Sequence, residues 1–248
     1  MTAFPHGAFP RHLLLWPLVE VRLPAGELAH DREHIARVYA WALRLAGEAG
    51  ADADLAGATA LVHDLVFVPK DSPDRAQGGA RSAAAAPALL ATAGYGAAEA
   101  EQIAAAVATS SWSRGLEPAG ALGVVLQDAD RLDALGAIGL LRSAACAQFM
   151  SRADRPGRFY DPGDPFAESG RPLDDRLQAI DHCYAKLLRL AAGLRLPGAR
   201  AEGARRHATM VAFLAALRGE LGVSNLGQAL RNADPGDHLA MVSSPDRT

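Results

Sequence analysis

Helix-forming residues fill this chain and leave almost no room for a sheet. The stretches 27–48, 55–66, 82–93, 97–108, 121–149, 173–192 and 199–221 are rich in Ala, Leu, Arg and Glu, residues that lose little on entering a helix. In the first stretch Ile35, Val38, Ala42 and Leu45 recur at helical spacing, which marks one buried stripe. Glycines cluster at 47–50, 94–96 and 115–120, where helices should stop. The run 122–126 is too short to be a strand and continues into helical composition. The pattern predicts an all-α fold.

Composition narrows the class further. The chain has 248 residues, 50% of them hydrophobic and 21% charged, enough to bury a core without disulfides or structural metals. The reading is one helical domain over 27–221, preceded by an N-terminal extension (1–26) and followed by a polar tail (222–248). Within the domain, 151–172 reads SRADRPGRFYDPGDPFAESGRP, a long Pro/Gly/Asp loop of the kind that is often functional. The net charge of −3 offers no basic field for nucleic acid. Cys146 and Cys183 form neither a disulfide framework nor a CxxC knuckle. The apolar run near the N-terminus is short and interrupted by Pro17, unlike a signal peptide or a membrane span. The expectation is a cytoplasmic protein with neither membrane nor nucleic acid as partner. Its Ala-rich helical surface leaves room for a homodimer.

The chemistry concentrates in histidines and aspartates. Two His-Asp dipeptides occur, His30-Asp31 and His63-Asp64. The first opens an amphipathic helix that also carries His34, and the second ends an apolar run. Gln127-Asp128-Ala129-Asp130-Arg131-Leu132-Asp133 then places three carboxylates in a segment otherwise bound for the core. Buried carboxylates must pair or bind metal. Adjacent His and Asp at a helix end can both reach one ion, and a further His and Asp from neighbouring helices complete a His2Asp2 set. Such a set suits Mn2+, Mg2+, Fe2+ or Co2+ better than a closed zinc site.

These segments together resemble the HD-domain superfamily of metal-dependent phosphohydrolases, and in particular its bacterial branch of small nucleotide pyrophosphohydrolase-like proteins. HD-x-x-H-I-x-R-V of that branch is similar to residues 30–38, its PK(N/D)SP-x-R stretch to 69–75, its QDADRLDA-x-GAIG to 127–139, and its Y-x-KLL-x-L to 184–190. The resemblance spans about residues 27–220.

The resemblance implies a helical bundle with a metal site in a cleft between helices. It implies His34, His63, Asp64 and Asp130 as ligands of one divalent ion, with Mn2+ favoured over Mg2+, Co2+, Fe2+ or Ni2+ and Asp128 competing for the last position. Asp64 and Lys70 would be catalytic, and Lys70, Arg75, Asp133, His182 and Lys186 would hold the substrate. That substrate would be a nucleotide, foremost a nucleoside triphosphate cleaved to monophosphate and pyrophosphate. The alternatives are a 5′-monophosphatase and a catalytically weakened nucleotide-binding regulator. One departure stands out. Relatives commonly carry T-H-S-F-S where this chain reads Thr109-Ser110-Ser111-Trp112-Ser113, and no histidine lies between His63 and His182. Serine cannot supply charge or acid–base work near neutrality, and a two-metal centre is not expected.

Overall fold

The computed structural model describes residues 4–69 and 72–223. It is all-α, as the composition predicts: no strand occurs among the described residues, only an isolated bridge between Arg158 and Gln178. The main helices are α1 (Pro10–Glu20), α2 (Arg32–Leu45), α3 (Ala53–Val62), α4 (Gly78–Thr92), α5 (Ala97–Ala108), α6 (Gly120–Asp133) and α7 (Gly136–Phe149). Two short pieces follow, α8 (Ala179–His182) and α9 (Leu188–Leu190), joined by a π-helical turn at Cys183–Leu187, before the long α10 (Pro197–Glu220).

α2, α3 and α6 pack on one another around Ile35, Val38, Leu61, Val62, Leu126 and Leu132, all essentially without solvent exposure. α4 and α5 form a second pair against this trio, and α7 and α10 a third. Side chains cap the starts of α2 and α3. Asp31 accepts from His34 N–H at 2.8 Å, and Asp52 accepts from Asp54 and Leu55 N–H at 2.8 and 3.1 Å, satisfying amides that an unfinished first turn leaves open.

Three departures from the sequence reading have physical causes. The 1–26 segment contains α1, hidden from composition by Pro17, which the helix tolerates on its exposed face while Leu15, Trp16 and Val19 are buried. The stretch 121–149 is two helices. Gly136 has φ +73°, a left-handed conformation in which a side chain would also press on Arg206. At Gly139 a Cβ would collide with the Ala134 carbonyl, so both glycines of the GAIG text serve the same tight corner. Finally, 173–178 is not helical. Asp181 is fully buried and gathers Arg171 (2.7 and 2.8 Å) and the Asp174 amide (2.8 Å) into an irregular loop.

Candidate metal centre

His34 lies in the first turn of α2, His63 caps the C-terminal end of α3, Asp64 follows it directly, and Asp130 stands on α6. The three helices bring their side chains to one point. Nε2 of His34 lies 3.3 Å from Nε2 of His63, 3.5 Å from Asp64 Oδ2 and 3.8 Å from Asp130 Oδ1. His63 Nε2 lies 3.5 and 4.0 Å from the same two carboxylates. The imidazoles are buried and the carboxylates about one-third exposed, so histidines form the floor and aspartates the mouth.

The opposite ring edges are locked. His63 Nδ1 donates to the Ala60 carbonyl at 2.8 Å, and His34 Nδ1 donates to Asp133 Oδ2 at 2.8 Å. With the proton fixed on Nδ1, each neutral ring turns its Nε2 lone pair toward the other across 3.3 Å. Two facing lone pairs repel, whereas a cation between them satisfies both. The donor set therefore fits a divalent ion bound through two imidazoles and up to two carboxylates.

Electrostatics agree with that fit. Burial pushes the Asp64 carboxyl up, but His63, His34 and His30 overcome it and hold it well below the usual carboxylate range. Asp130 is likewise lowered, with His63 and His34 outweighing burial and the Asp64 charge. For His34, burial and Arg142 oppose the imidazolium, yet Asp133, Asp64 and Asp130 together raise its pKa above the ordinary value.

The carboxylates of the 127–133 motif have separate tasks. Asp128 is fully buried and accepts from the Arg195 and Leu196 amides at 2.7–3.1 Å, which leaves Asp130 alone of the two at the cluster. Asp133, expected at the substrate, is fully buried behind His34, held by Arg37 at 2.6 and 3.1 Å and by Arg142 at 3.1 Å. It orients a ring. Gln127 donates to the Thr109 and Leu116 carbonyls at 2.7 and 3.1 Å, tying α6 to the α5–α6 connection.

Of the expected phosphate-holding residues, Lys70 lies outside the described residues. Arg75 is exposed, and its charge helps lower the Asp175 carboxyl, whose larger partner is His182, 3.7 Å away. Lys186 is half-buried, with Nζ 5.9 Å from the Trp112 ring centre. Ser110 closes α5 against α4, where a Cβ on Gly79 would come within 3.1 Å of its hydroxyl. Residue type alone did not point to Arg142, which belongs to none of the matched motifs. Arg37 was visible in the residues 30–38 but carried no role there.

The comparisons follow the same lines. No family model matches the chain. YpgQ of Bacillus subtilis (strain 168) is 30% identical over 196 residues, 77% of this chain and 84% of that protein. The crystal structure of YpgQ in complex with ADP is similar at TM-score 0.62 and 28% identity, covering 83% of this chain and 95% of that one. A Lactobacillus plantarum protein of known structure gives TM-score 0.67 at 28% identity, over 86% of this chain and 98% of its own. An HD-superfamily hydrolase from Bacillus thuringiensis gives 0.53 at 26%, over 77% and 86%. At that identity and coverage, the chain belongs with YpgQ in the HD-domain superfamily of hydrolases.

Proposed function

We propose that the chain hydrolyses a nucleotide with one divalent cation, Mn2+ foremost, held by His34, His63, Asp64 and Asp130. The favoured reaction is cleavage of a nucleoside triphosphate to monophosphate and pyrophosphate. The observation that carries this reading is the pair of Nδ1-locked histidines facing each other at 3.3 Å under two carboxylates. The ADP bound to YpgQ supports a nucleotide as ligand.

When bound, such a cation supplies Lewis acidity at a phosphoryl oxygen and acidifies a water. The chain's own part is preorganisation. The Ala60 carbonyl and Asp133 keep both rings in one tautomer, so no reorientation is needed as charge develops. Asp64 and Asp130, both held ionised, face the mouth and can accept a hydrogen bond that orients an attacking water. Lys70, with Arg75, Lys186 and His182, is assigned to the phosphate oxygens, where positive charge offsets the developing negative charge.

The test is metal-dependent release of phosphate or pyrophosphate from a panel of nucleoside mono-, di- and triphosphates. The protein is first stripped of metal and then supplied with Mn2+, Mg2+, Co2+, Ni2+ or Fe2+. Pyrophosphate from triphosphates is the expected product. Phosphate from monophosphates alone would replace the reading with a 5′-monophosphatase, and binding without turnover with a regulator.

A further inference from the structure

The first His-Asp dipeptide is not used by the centre described above. Asp31 is spent on capping α2, and His30 belongs to a different cluster. Glu27 and His30 are both buried, with His30 Nδ1 only 2.5 Å from Glu27 Oε2, while the other Glu27 oxygen accepts from the Ala29 amide at 2.9 Å. Cys146, half-buried on α7, completes the group. A carboxylate oxygen, an imidazole nitrogen and the thiol sulfur of these residues all lie within 4.8 Å of one another.

Two features hold this triad together from outside it. Arg142 stands one turn before Cys146 on α7 and donates to the Ala29 carbonyl at 2.7 Å, fastening the helix that bears the thiol to the segment that bears Glu27 and His30. Phe67 lies 5.7 Å from the His30 ring and 5.9 Å from the Phe149 ring, so aromatic surface screens one side. The His30 ring also meets the His34 ring edge-on, with centres 5.8 Å apart. The two donor groups share a wall.

We propose that Glu27, His30 and Cys146 form a second divalent-cation site, of zinc type, distinct from the His34/His63/Asp64/Asp130 centre. Thiolate with imidazole and carboxylate is a borderline-soft donor set that selects Zn2+, whereas the all-N/O centre next to it tolerates harder ions. Binding proceeds by loss of the Cys146 thiol proton to solvent and by exchange of the His30 proton, given up from Nδ1 to solvent and regained from solvent at Nε2, so that the thiolate, Nδ1 and the Glu27 carboxylate are all open to the ion. Three protein ligands leave one tetrahedral position for water or another small ligand. The proposal does not depend on the hydrolase reading.

Cobalt tests it, because only a thiolate ligand gives sulfur-to-cobalt charge-transfer absorption in the near ultraviolet. Full-length, metal-stripped protein is titrated with Co2+ under reducing conditions, and then with Zn2+. The expected result is two equivalents of Co2+, one of them with the sulfur band, which Zn2+ bleaches. Cys146→Ala should lose the band and one equivalent, and Glu27→Gln should weaken the band-forming step by at least about 10-fold. Asp64→Asn should disturb the other equivalent and keep the band. Absence of a sulfur band in the wild-type protein at saturating Co2+ overturns the proposal, as does a band that survives Cys146→Ala. Because the wild-type titration is decisive, a variant that fails to fold does not shield the proposal. Loss of nucleotide turnover with an intact sulfur band would count against the hydrolase reading alone.

Discussion

His12 and the pair His34/His63 are equally buried, and they are opposites. Both nitrogens of His12 are answered by protein: Nδ1 accepts from the Tyr39 hydroxyl and Nε2 donates to the Asp54 carbonyl, each at 2.8 Å. In His34 and His63 the scaffold answers only Nδ1, and the remaining nitrogens face each other and the expected ligands Asp64 and Asp130. Burial therefore does not separate a scaffold histidine from a ligand. What separates them is whether the second nitrogen meets a partner of opposite character.

The comparison breaks most readily at the ligands. His63→Ala or Asp64→Ala should lower both metal affinity by calorimetry and turnover by more than the roughly 10- to 100-fold typical of outer-shell losses, with the helical circular dichroism retained. Near-normal turnover at saturating metal would refute the assignment. Asp133→Asn should fall within that range, about 10- to 100-fold in metal affinity, because the amide no longer fixes the His34 tautomer as a carboxylate does. Unchanged affinity would make Asp133 a purely structural partner of Arg37 and Arg142.

His12→Leu should do the reverse. It takes away the acceptor of the buried Tyr39 hydroxyl proton and one of the donors to the Asp54 carbonyl, costing about 1–3 kcal/mol for a buried donor left unmet, measured by urea unfolding, while metal affinity stays put. The smallest effect is in the pH profile of the metal-stripped protein. Burial lowers the His12 pKa, so its contribution to stability is complete above the unfolded histidine value and is lost as pH falls through the folded one. The raised pKa of His34 has the opposite sign: its contribution is complete below the unfolded value and is lost as pH rises through the folded one. Urea midpoints from pH 5 to 8 should therefore steepen on the acid side in His34→Ala and flatten there in His12→Leu. Identical profiles would show that the two rings titrate alike.

Much of this was legible in the sequence, because helical periodicity and the order His34, His63-Asp64, Asp130 are one-dimensional facts. The four expected donors do meet at one point. Less legible was the division of labour within 127–133. Asp128, Asp130 and Asp133 look equivalent on paper, but they leave α6 in different directions, toward the Arg195–Leu196 amides, the cluster and the back of His34. Most of the partners that decide their roles lie 60 or more residues away in the chain. Arg142 and Glu27 were hidden for the same reason. α1 was missed because Pro17 reads as a breaker, although only its exposure in the fold shows that nothing there needs its missing amide.

α1 also bears on how the chain tolerates cutting. His12 rests directly on Gly57 of α3, at a spot where any Cβ would collide with its ring. Its neighbour Arg11 bonds both Asp54 and Glu99, at 2.9–3.0 Å. One helical turn thus rivets α3 to α5 across more than forty residues of intervening sequence. Shortening the chain to begin at residue 27 would strip the cover from Gly57 and from the face of α3 that leads to His63. Recombination or proteolysis that parts α1 from α2 would therefore reach the ligands through the helix that carries them, without touching a single residue of the cleft.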